Sequence, residues 1–167
     1  MKFFKSFFLI ISLLSIPLTA INKQAHIEGK FFSKLSDYHF FKDLTNQVPV
    51  DEVLPYQLQS ELFSDYTHKQ RFVYVPPTMK VPHEKNKVFM FPVGSVLIKT
   101  FSYQNTISEL APQLLETRLL IHSEGGWKAV SYIWNEDQSE AYLSLVGGTI
   151  QTNFSDKSGN IRSVRYK

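Results

Sequence analysis

The chain has 167 residues and no cysteine. Without cysteine it cannot form a disulfide, a thiolate nucleophile, a cysteine-ligated zinc site or an iron–sulfur cluster. Thioether attachment of haem within this sequence is excluded for the same reason. The folded chain must therefore be held together by its hydrophobic core, to which its 14% aromatic residues bring large side chains.

The chain also lacks a strong excess of charge of either sign. It has 18 Lys and Arg against 15 Asp and Glu, a net charge of +3. Lys2 and Lys5 lie in the first twenty residues, so the remainder carries only 3 − 2 = +1. Its basic residues are interleaved with acidic ones, whereas nucleic-acid-binding proteins usually concentrate them in a stripe. The sequence therefore excludes nucleic acid as a partner.

The most apolar stretch of the chain is too short to span a membrane as a helix. It runs from Phe7 to Ile16, about ten residues, whereas a spanning helix needs about twenty. The two N-terminal lysines precede it, and Pro17 and Ala20 follow it, which is the order of a secretory signal peptide. Residues 1–20 are therefore predicted to be a signal peptide whose cleavage leaves no stable membrane anchor. A periplasmic or secreted location follows, and the lack of disulfides favours a bacterial periplasm.

Residues 21–47 are predicted to form an N-terminal extension with one short helix. The helix is expected around Phe32 to Phe41, because Phe31, Leu35 and Tyr38 fall on one helical face. Residues 48–62 contain two prolines and are expected to be irregular.

Residues 48–167 are predicted to form an antiparallel β domain, because after residue 62 apolar and polar residues alternate with a period of two. Glycine turns, such as Glu124-Gly125-Gly126, separate the alternating runs. The sequence therefore predicts a mainly β fold, either an antiparallel β-sandwich or a partly open barrel, with its strands arranged as a meander. The predicted strands are Arg71–Val75, Val88–Phe91, Ser95–Tyr103, Leu114–His122, Trp127–Trp134, Ala141–Val146, Thr149–Phe154 and Ile161–Tyr166.

The histidines do not predict a metal site. No two of them are two, three or four residues apart, which is the spacing typical of metal ligands on one element. Surface or hydrogen-bonded histidines are therefore expected at His26, His39, His68, His83 and His122.

Polar residues on one face of the strand Leu114–His122 form the first candidate site. By parity Glu116, Arg118 and His122 lie on the same face, where Arg118 could grip a carboxylate or a phosphate with two hydrogen bonds. The alternative is an exposed sheet face with opposite charges as neighbours. Trp127 and Trp134 fall on opposite faces of the next strand, and one of them is expected in the core.

The second candidate site is the polar segment from residue 64 to residue 71. Asp65 and His68 could act as an acid–base pair there. The alternative is a loop that fixes its own backbone through side-chain hydrogen bonds. No G-x-S-x-G, Walker or H-E-x-x-H motif accompanies the pair, so a non-enzymatic role is favoured. Together the two sites give a candidate polar pocket of Asp65, His68, Arg118, His122 and Trp127.

Four longer segments carry a resemblance that covers most of the chain from about Phe31 onward. The segments are Leu54-Pro55-Tyr56 with Leu62-Phe63-Ser64-Asp65-Tyr66-Thr67-His68-Lys69, Phe91-Pro92-Val93-Gly94-Ser95-Val96-Leu97-Ile98-Lys99-Thr100-Phe101, Glu116-Thr117-Arg118-Leu119-Leu120-Ile121-His122 with Gly126-Trp127-Lys128-Ala129, and Tyr132-Ile133-Trp134-Asn135-Glu136-Asp137-Gln138. In these segments the chain resembles the N-terminal region of a family of exported bacterial di-haem c-type cytochromes.

The resemblance implies a redox parent protein but places no haem ligand on this chain. In the family a C-x-x-C-H haem site follows a strand like Ile161–Tyr166, and this sequence has no such motif. Haem c is therefore expected only in a C-terminal part that this sequence lacks, and no cofactor is expected here. The chain is either a fragment of such a cytochrome or a free-standing relative.

The expected function is an exported N-terminal β module of a periplasmic c-type cytochrome-like protein. Such a module would support a haem domain or dock a redox partner without a haem site of its own. The alternative is a free-standing secreted β-sandwich that binds a small ligand or a glycan through Arg118, Trp127 or Trp134. A hydrolase built on Asp65 and His68 is the third reading.

Overall fold

The fold is mainly β, as predicted. The computed structural model describes residues 20–64, 66–103, 112–146, 148–155 and 158–166. The predicted signal peptide therefore lies, apart from Ala20, outside the described residues. Within the described ranges the elements are helix α1 (Lys23–Glu28), a 3₁₀ turn (Ser36–Tyr38) and strands β1 (Phe41–Asp43), β2 (Val48–Pro49), β3 (Val53–Pro55), β4 (His68–Tyr74), β5 (Val96–Tyr103), β6 (Gln113–Ser123), β7 (Gly126–Trp134), β8 (Ala141–Ser144), β9 (Ile150–Ser155) and β10 (Ile161–Tyr166).

Strands β3 to β8 form a six-stranded antiparallel sheet in chain order. This order confirms the predicted meander, in which each hairpin pairs neighbouring strands. The turn from β6 to β7 places Gly126 at φ 95°, a backbone conformation that glycine adopts without strain. Strands β9 and β10 form a separate hairpin, and β1 pairs with β2.

One face of the sheet, here called the inner face, packs against the N-terminal residues. Its alternating apolar side chains join those of the N-terminal segment in one core, and burial of this apolar area is the main stabilising term of the fold. The buried members are Ile21, Leu35, Tyr38, Phe40, Val53, Phe72, Tyr74, Val96, Ile98, Leu114, Leu119, Ile121, Val130, Tyr132, Trp134 and Ala141.

The single short helix lies earlier than the sequence predicts. Asn22 accepts a hydrogen bond from the backbone of Ala25 and so caps the start of α1, and Gly29 ends it at φ 65°. The prediction of a helix around Phe32 to Phe41 is wrong, since the only helical element of that described range is the 3₁₀ turn. The backbone of Leu35 instead donates to Ala141, and that of Leu143 donates to Ser33. Pairing with the edge strand β8 overrides the helical periodicity.

Two further predictions need correction, one of a strand and one of an irregular segment. Residues 88–91 form no strand, and Val88, Phe89 and Met90 are exposed. Residues 48–62, expected to be irregular, contain β2 and β3, and β3 extends the sheet at the free edge of β4. A two- or three-residue strand carries too little alternation to be recognised from its sequence.

The opposite face of the sheet, here called the outer face, is only partly covered. Phe101, Tyr103 and Leu115 of the sheet pack against Phe154 and Tyr166 of the β9–β10 hairpin, forming a second core. Beyond this contact the described residues leave Arg118, Leu120 and Trp127 of the outer face exposed. No helix among the described residues combines the length and the apolar character needed to cross a membrane.

His26 is buried in the inner core among three aromatic rings. Its ring centroid lies 5.7 Å from that of Tyr38, 5.3 Å from that of Phe40 and 5.6 Å from that of Tyr74. Neither ring nitrogen makes a hydrogen bond with the part of the chain that the structure describes. Burial lowers the pKa of His26 from 6.5 to about 4, against a smaller opposing effect of the Gly94 backbone.

We expect the stability of the protein to fall between pH 6.5 and pH 5 because of His26. The folded-state pKa of His26, about 4, lies below the unfolded value of 6.5. As the pH falls, the unfolded chain therefore binds the proton at a higher pH than the folded protein does. The stabilisation is complete above pH 6.5 and is lost as the pH drops towards 4, by on the order of 3 kcal/mol in all.

Urea unfolding at several pH values in this window, before most carboxylates titrate, measures the effect. The variant His26→Leu should show a flatter profile, whereas His68→Gln, at an exposed position, should keep the wild-type slope. A wild-type free energy of unfolding that stays constant from pH 7 to pH 5 would contradict the account.

Candidate binding face

Three cationic side chains lie side by side on the outer face. The strand register pairs Arg71 of β4 with Lys99 of β5, and Lys99 with Arg118 of β6. Directly paired residues of neighbouring strands have Cβ atoms about 5 Å apart. The strands therefore align Arg71, Lys99 and Arg118, here called the cation row, across the middle of the sheet.

The two ends of the cation row are paired with carboxylates. Arg71 donates through Nη1 to Oε1 of Glu61 at 2.8 Å. Arg118 donates through Nε and Nη2 to the two oxygens of Glu116, at 2.9 Å and 2.8 Å. Two parallel hydrogen bonds to one carboxylate fix the guanidinium plane as well as its position.

Lys99, in the middle of the row, has no carboxylate partner among the described residues. Its ammonium group lies 4.5 Å from the centroid of the Phe101 ring, and the Arg118 guanidinium lies 4.8 Å from the same centroid. Burial, together with the positive charges of Arg71, Arg118 and Lys69, lowers the pKa of Lys99. The Lys99 ammonium is thus a half-buried charge with cationic neighbours on both sides.

Glu116 connects the cation row to the β9–β10 hairpin. Its carboxylate also accepts a hydrogen bond from the Tyr166 hydroxyl, at 2.5 Å. Burial favours the neutral acid, but hydrogen bonds from Arg118, Ser131 and Tyr166 outweigh that effect and lower the pKa of Glu116. The side chain of Glu116 is only 5% exposed, while that of Arg118 is 49% exposed.

An aromatic cluster lies at the other end of the same face. The His122 and Trp127 rings, paired across β6 and β7, stack with centroids 4.5 Å apart and planes at 11°. Phe91 packs edge-on to Trp127 at 6.3 Å, and its carbonyl oxygen lies 2.8 Å from Nδ1 of His122. Trp127 remains 43% exposed, whereas Trp134 is in the core and donates to the Thr117 hydroxyl. One tryptophan in the core is the outcome that the strand parity predicts.

An apolar strip crosses the sheet between the aromatic cluster and the cation row. Register pairs Val73 with Leu97, Leu97 with Leu120, and Leu120 with Ala129. Each is exposed or half-exposed, and Leu120 keeps 36% of its surface accessible. The open part of the outer face thus consists of a positive row, an apolar strip and an aromatic cluster in parallel.

Two clefts adjoin the cation row at its ends. One of about 380 Å³ is lined by Tyr56, Lys69 and Arg71, where β3 ends and leaves the edge of β4 open. The other, of about 180 Å³, lies between Arg118, Ser131 and Ser144.

Of the five residues of the predicted polar pocket, the structure describes four, and it does not bring these four together. Arg118 and His122 share a face but are four strand residues apart, about 13 Å at 3.3 Å per residue. Trp127 contacts His122 rather than Arg118. His68 is exposed at the start of β4. Asp65 lies outside the described residues.

Ser64 and Thr67, on either side of Asp65 in the sequence, are joined by local hydrogen bonds. The Thr67 hydroxyl and backbone both donate to the Ser64 carbonyl, at 2.6 Å and 2.8 Å. Lys69 donates to the Leu62 carbonyl at 2.8 Å. These bonds fit the alternative in which the segment fixes its own backbone.

Neither an attachment site for a c-type haem in the sequence nor a metal-binding group among the described residues is found. The chain has no cysteine, and the part of it that the structure describes holds no group of three His, Cys, Asp or Glu residues placed to bind a metal. His26, the most buried histidine, is enclosed by aromatic rings of the core.

Glu116 and Tyr166 should each stabilise the packing of the hairpin on the sheet. In Glu116→Gln the Arg118 guanidinium and the Tyr166 hydroxyl lose their charged acceptor, so the free energy of unfolding should fall by about 2 kcal/mol. Tyr166→Phe should cost about 1.5 kcal/mol, because it removes one hydrogen bond to a charged group.

Urea unfolding measures both losses, and hydrogen exchange locates the second. Tyr166→Phe should increase amide exchange in β9 and β10 before it affects the six-stranded sheet. Tyr142→Phe, which alters an exposed tyrosine of β8, is the matched control. Wild-type protection of the hairpin in Tyr166→Phe would contradict the role given to this bond.

No family model matches the chain, and no curated protein and no solved structure is significantly similar to it. The function must therefore be inferred from the chain's own residues, above all from those of the open outer face.

Proposed function

We propose that this chain is an exported β module that packs against the haem domain of a periplasmic c-type cytochrome-like protein. In this role it supports the haem domain and presents a docking surface for a redox partner. The haem itself belongs to another polypeptide segment, because thioether attachment requires cysteines that this chain does not have. The proposal rests on the resemblance of four segments to such cytochromes and on the shape of the outer face.

The open part of the outer face is the observation that carries the proposal. The inner face holds the main core, and the β9–β10 hairpin covers one end of the outer face. The remaining surface places the apolar strip, with Leu120 at 36% exposure, beside Trp127 at 43% exposure. An apolar sheet surface bordered by charged groups is typical of a protein–protein interface.

An enzymatic role has less support from the geometry. Of the predicted acid–base pair, His68 is exposed on β4, and the adjoining turn is held by bonds within the loop. The polar groups that do converge are Glu116, Arg118 and Tyr166, and they form an ion pair and a hydrogen bond that tie the hairpin to the sheet.

The second candidate is a free-standing module that binds a small ligand or a glycan. The stacked pair of His122 and Trp127, extended by Phe91, favours it, since exposed aromatic rings bind apolar faces of ligands. Docking to a haem domain and binding of a small ligand would both use the open outer face. The two functions differ in the nature of the partner.

Co-purification of haem from the native periplasm tests the proposal. The affinity-tagged chain is expressed in its native host, purified from the periplasm, and assayed for covalently bound haem in the eluate by haem staining and by its Soret absorbance. We expect haem with the wild-type chain and with Lys42→Glu, which alters an exposed lysine of β1 in the N-terminal layer. Leu120→Asp should lose the haem signal, because it places an unpaired charge in the apolar strip.

Two results would overturn the proposal. One is an eluate of the folded wild-type chain without covalent haem. The other is an equal haem signal from Leu120→Asp, which would mean that the interaction does not use the outer face. Trp127 fluorescence reports docking independently, since Trp134 is buried in the opposite core.

A further inference from the structure

We infer that the cation row is an oxyanion-binding site, in which the ammonium group of Lys99 and the exposed guanidinium group of Arg118 bind a carboxylate or a phosphate, and the buried Arg71 adds positive charge. The site is distinct from the apolar strip that carries the proposed docking. It requires no haem domain, and the two proposals can fail separately.

The excess of positive charge around Lys99 is the first observation that supports an oxyanion site. Lys69, Arg71, Lys99 and Arg118 lie on the outer face of adjacent strands, while Glu61 and Glu116 are the carboxylates paired with them, which leaves 4 − 2 = +2. Like charges directly opposite on neighbouring strands destabilise a sheet. An anion at Lys99 would remove that repulsion.

The Phe101 ring does not account for the arrangement by itself. A cation over an aromatic face gains about 0.5–1 kcal/mol at exposed sites. The ring lies 4.5 Å from the Lys99 ammonium and 4.8 Å from the Arg118 guanidinium, so it holds both groups close together without neutralising either. The ring thereby keeps the Lys99 ammonium and the Arg118 guanidinium next to each other.

An exposed guanidinium group lies on one side of Lys99 and a buried one on the other. Arg118 uses Nε and Nη2 for Glu116, which leaves Nη1 unused in these bonds, and its side chain is 49% exposed. Arg71 donates through Nη1 to Glu61, and its side chain is only 6% exposed, so it adds positive charge to the row rather than an accessible donor. With Cβ atoms about 5 Å apart across the strands, one oxyanion can contact Lys99 together with a neighbouring guanidinium.

The partial burial of Lys99 strengthens binding. In a half-buried position the attraction between an ammonium group and an oxyanion is screened less than at an open surface. The carboxylates at the two ends of the row hold the guanidinium groups in place before the anion arrives, which reduces the entropy lost on binding.

An anion titration of the exported, purified chain tests the site. Sodium phosphate, sodium acetate and sodium succinate are added separately at constant ionic strength, with sodium chloride as the reference. Backbone amide NMR shifts of residues 97–101 and 116–120 are followed. We expect saturable shifts in the millimolar range for at least one oxyanion and none for chloride.

Variants of Lys99 decide whether the binding belongs to the cation row. Lys99→Met should weaken the affinity at least about tenfold, the loss of one charge-assisted contact, and Lys99→Arg should restore most of it. Lys42→Met is the matched control and should bind as the wild type does. Circular dichroism and the emission of Trp134 confirm that each variant is folded.

The anions also identify the source of the bound group. Saturation by acetate or succinate but not by phosphate assigns the site to a carboxylate, on a small acid or on a partner. Saturation by phosphate alone assigns it to a phosphate group, and saturation by both supports the shared chemistry. The absence of saturable shifts for all three anions, or unchanged affinity in folded Lys99→Met, would overturn the inference.

Discussion

The carboxylate of Glu116 is the group on which the arrangement of the outer face depends. It lies on β6 with its side chain 5% exposed, and it binds Arg118 of the same strand and Tyr166 of β10. A buried carboxylate is tolerated only where such bonds replace its hydration. In satisfying this requirement the protein attaches the terminal hairpin to the sheet and fixes one end of the cation row beside Lys99. Local packing and the candidate binding site therefore share one polar centre.

The two faces of the sheet have different roles for a physical reason. The inner face buries its apolar side chains under the N-terminal segment, which pairs with β8 and packs its aromatic rings on the core. The outer face receives only the hairpin, whose core is much smaller. The open remainder combines apolar groups with the exposed Arg118 and the half-buried Lys99. Stability comes mainly from the inner face, and the proposed recognition uses the outer one.

Much of the sheet follows from the sequence, but the site follows only in part. The alternation in β5, β6 and β7 and the turn at Gly126 are strong local signals, and these strands form where they are predicted. The short helix was misplaced because residues near Leu35 pair with β8, a contact over 100 residues apart that periodicity does not contain. Parity within β6 places Glu116 and Arg118 on one face. The cation row needs the register between three strands, and the bond from Tyr166 needs the position of a separate hairpin, neither of which alternation specifies.

The central claim, that this β module serves a c-type haem domain, is tested most directly at the level of the gene. The native gene should be sequenced through the codon for Lys167 and beyond it. The account predicts a C-x-x-C-H haem-attachment motif shortly downstream, either in the same frame or in a shifted one. A stop codon with no such motif nearby would contradict it and would make the free-standing binding module the better description.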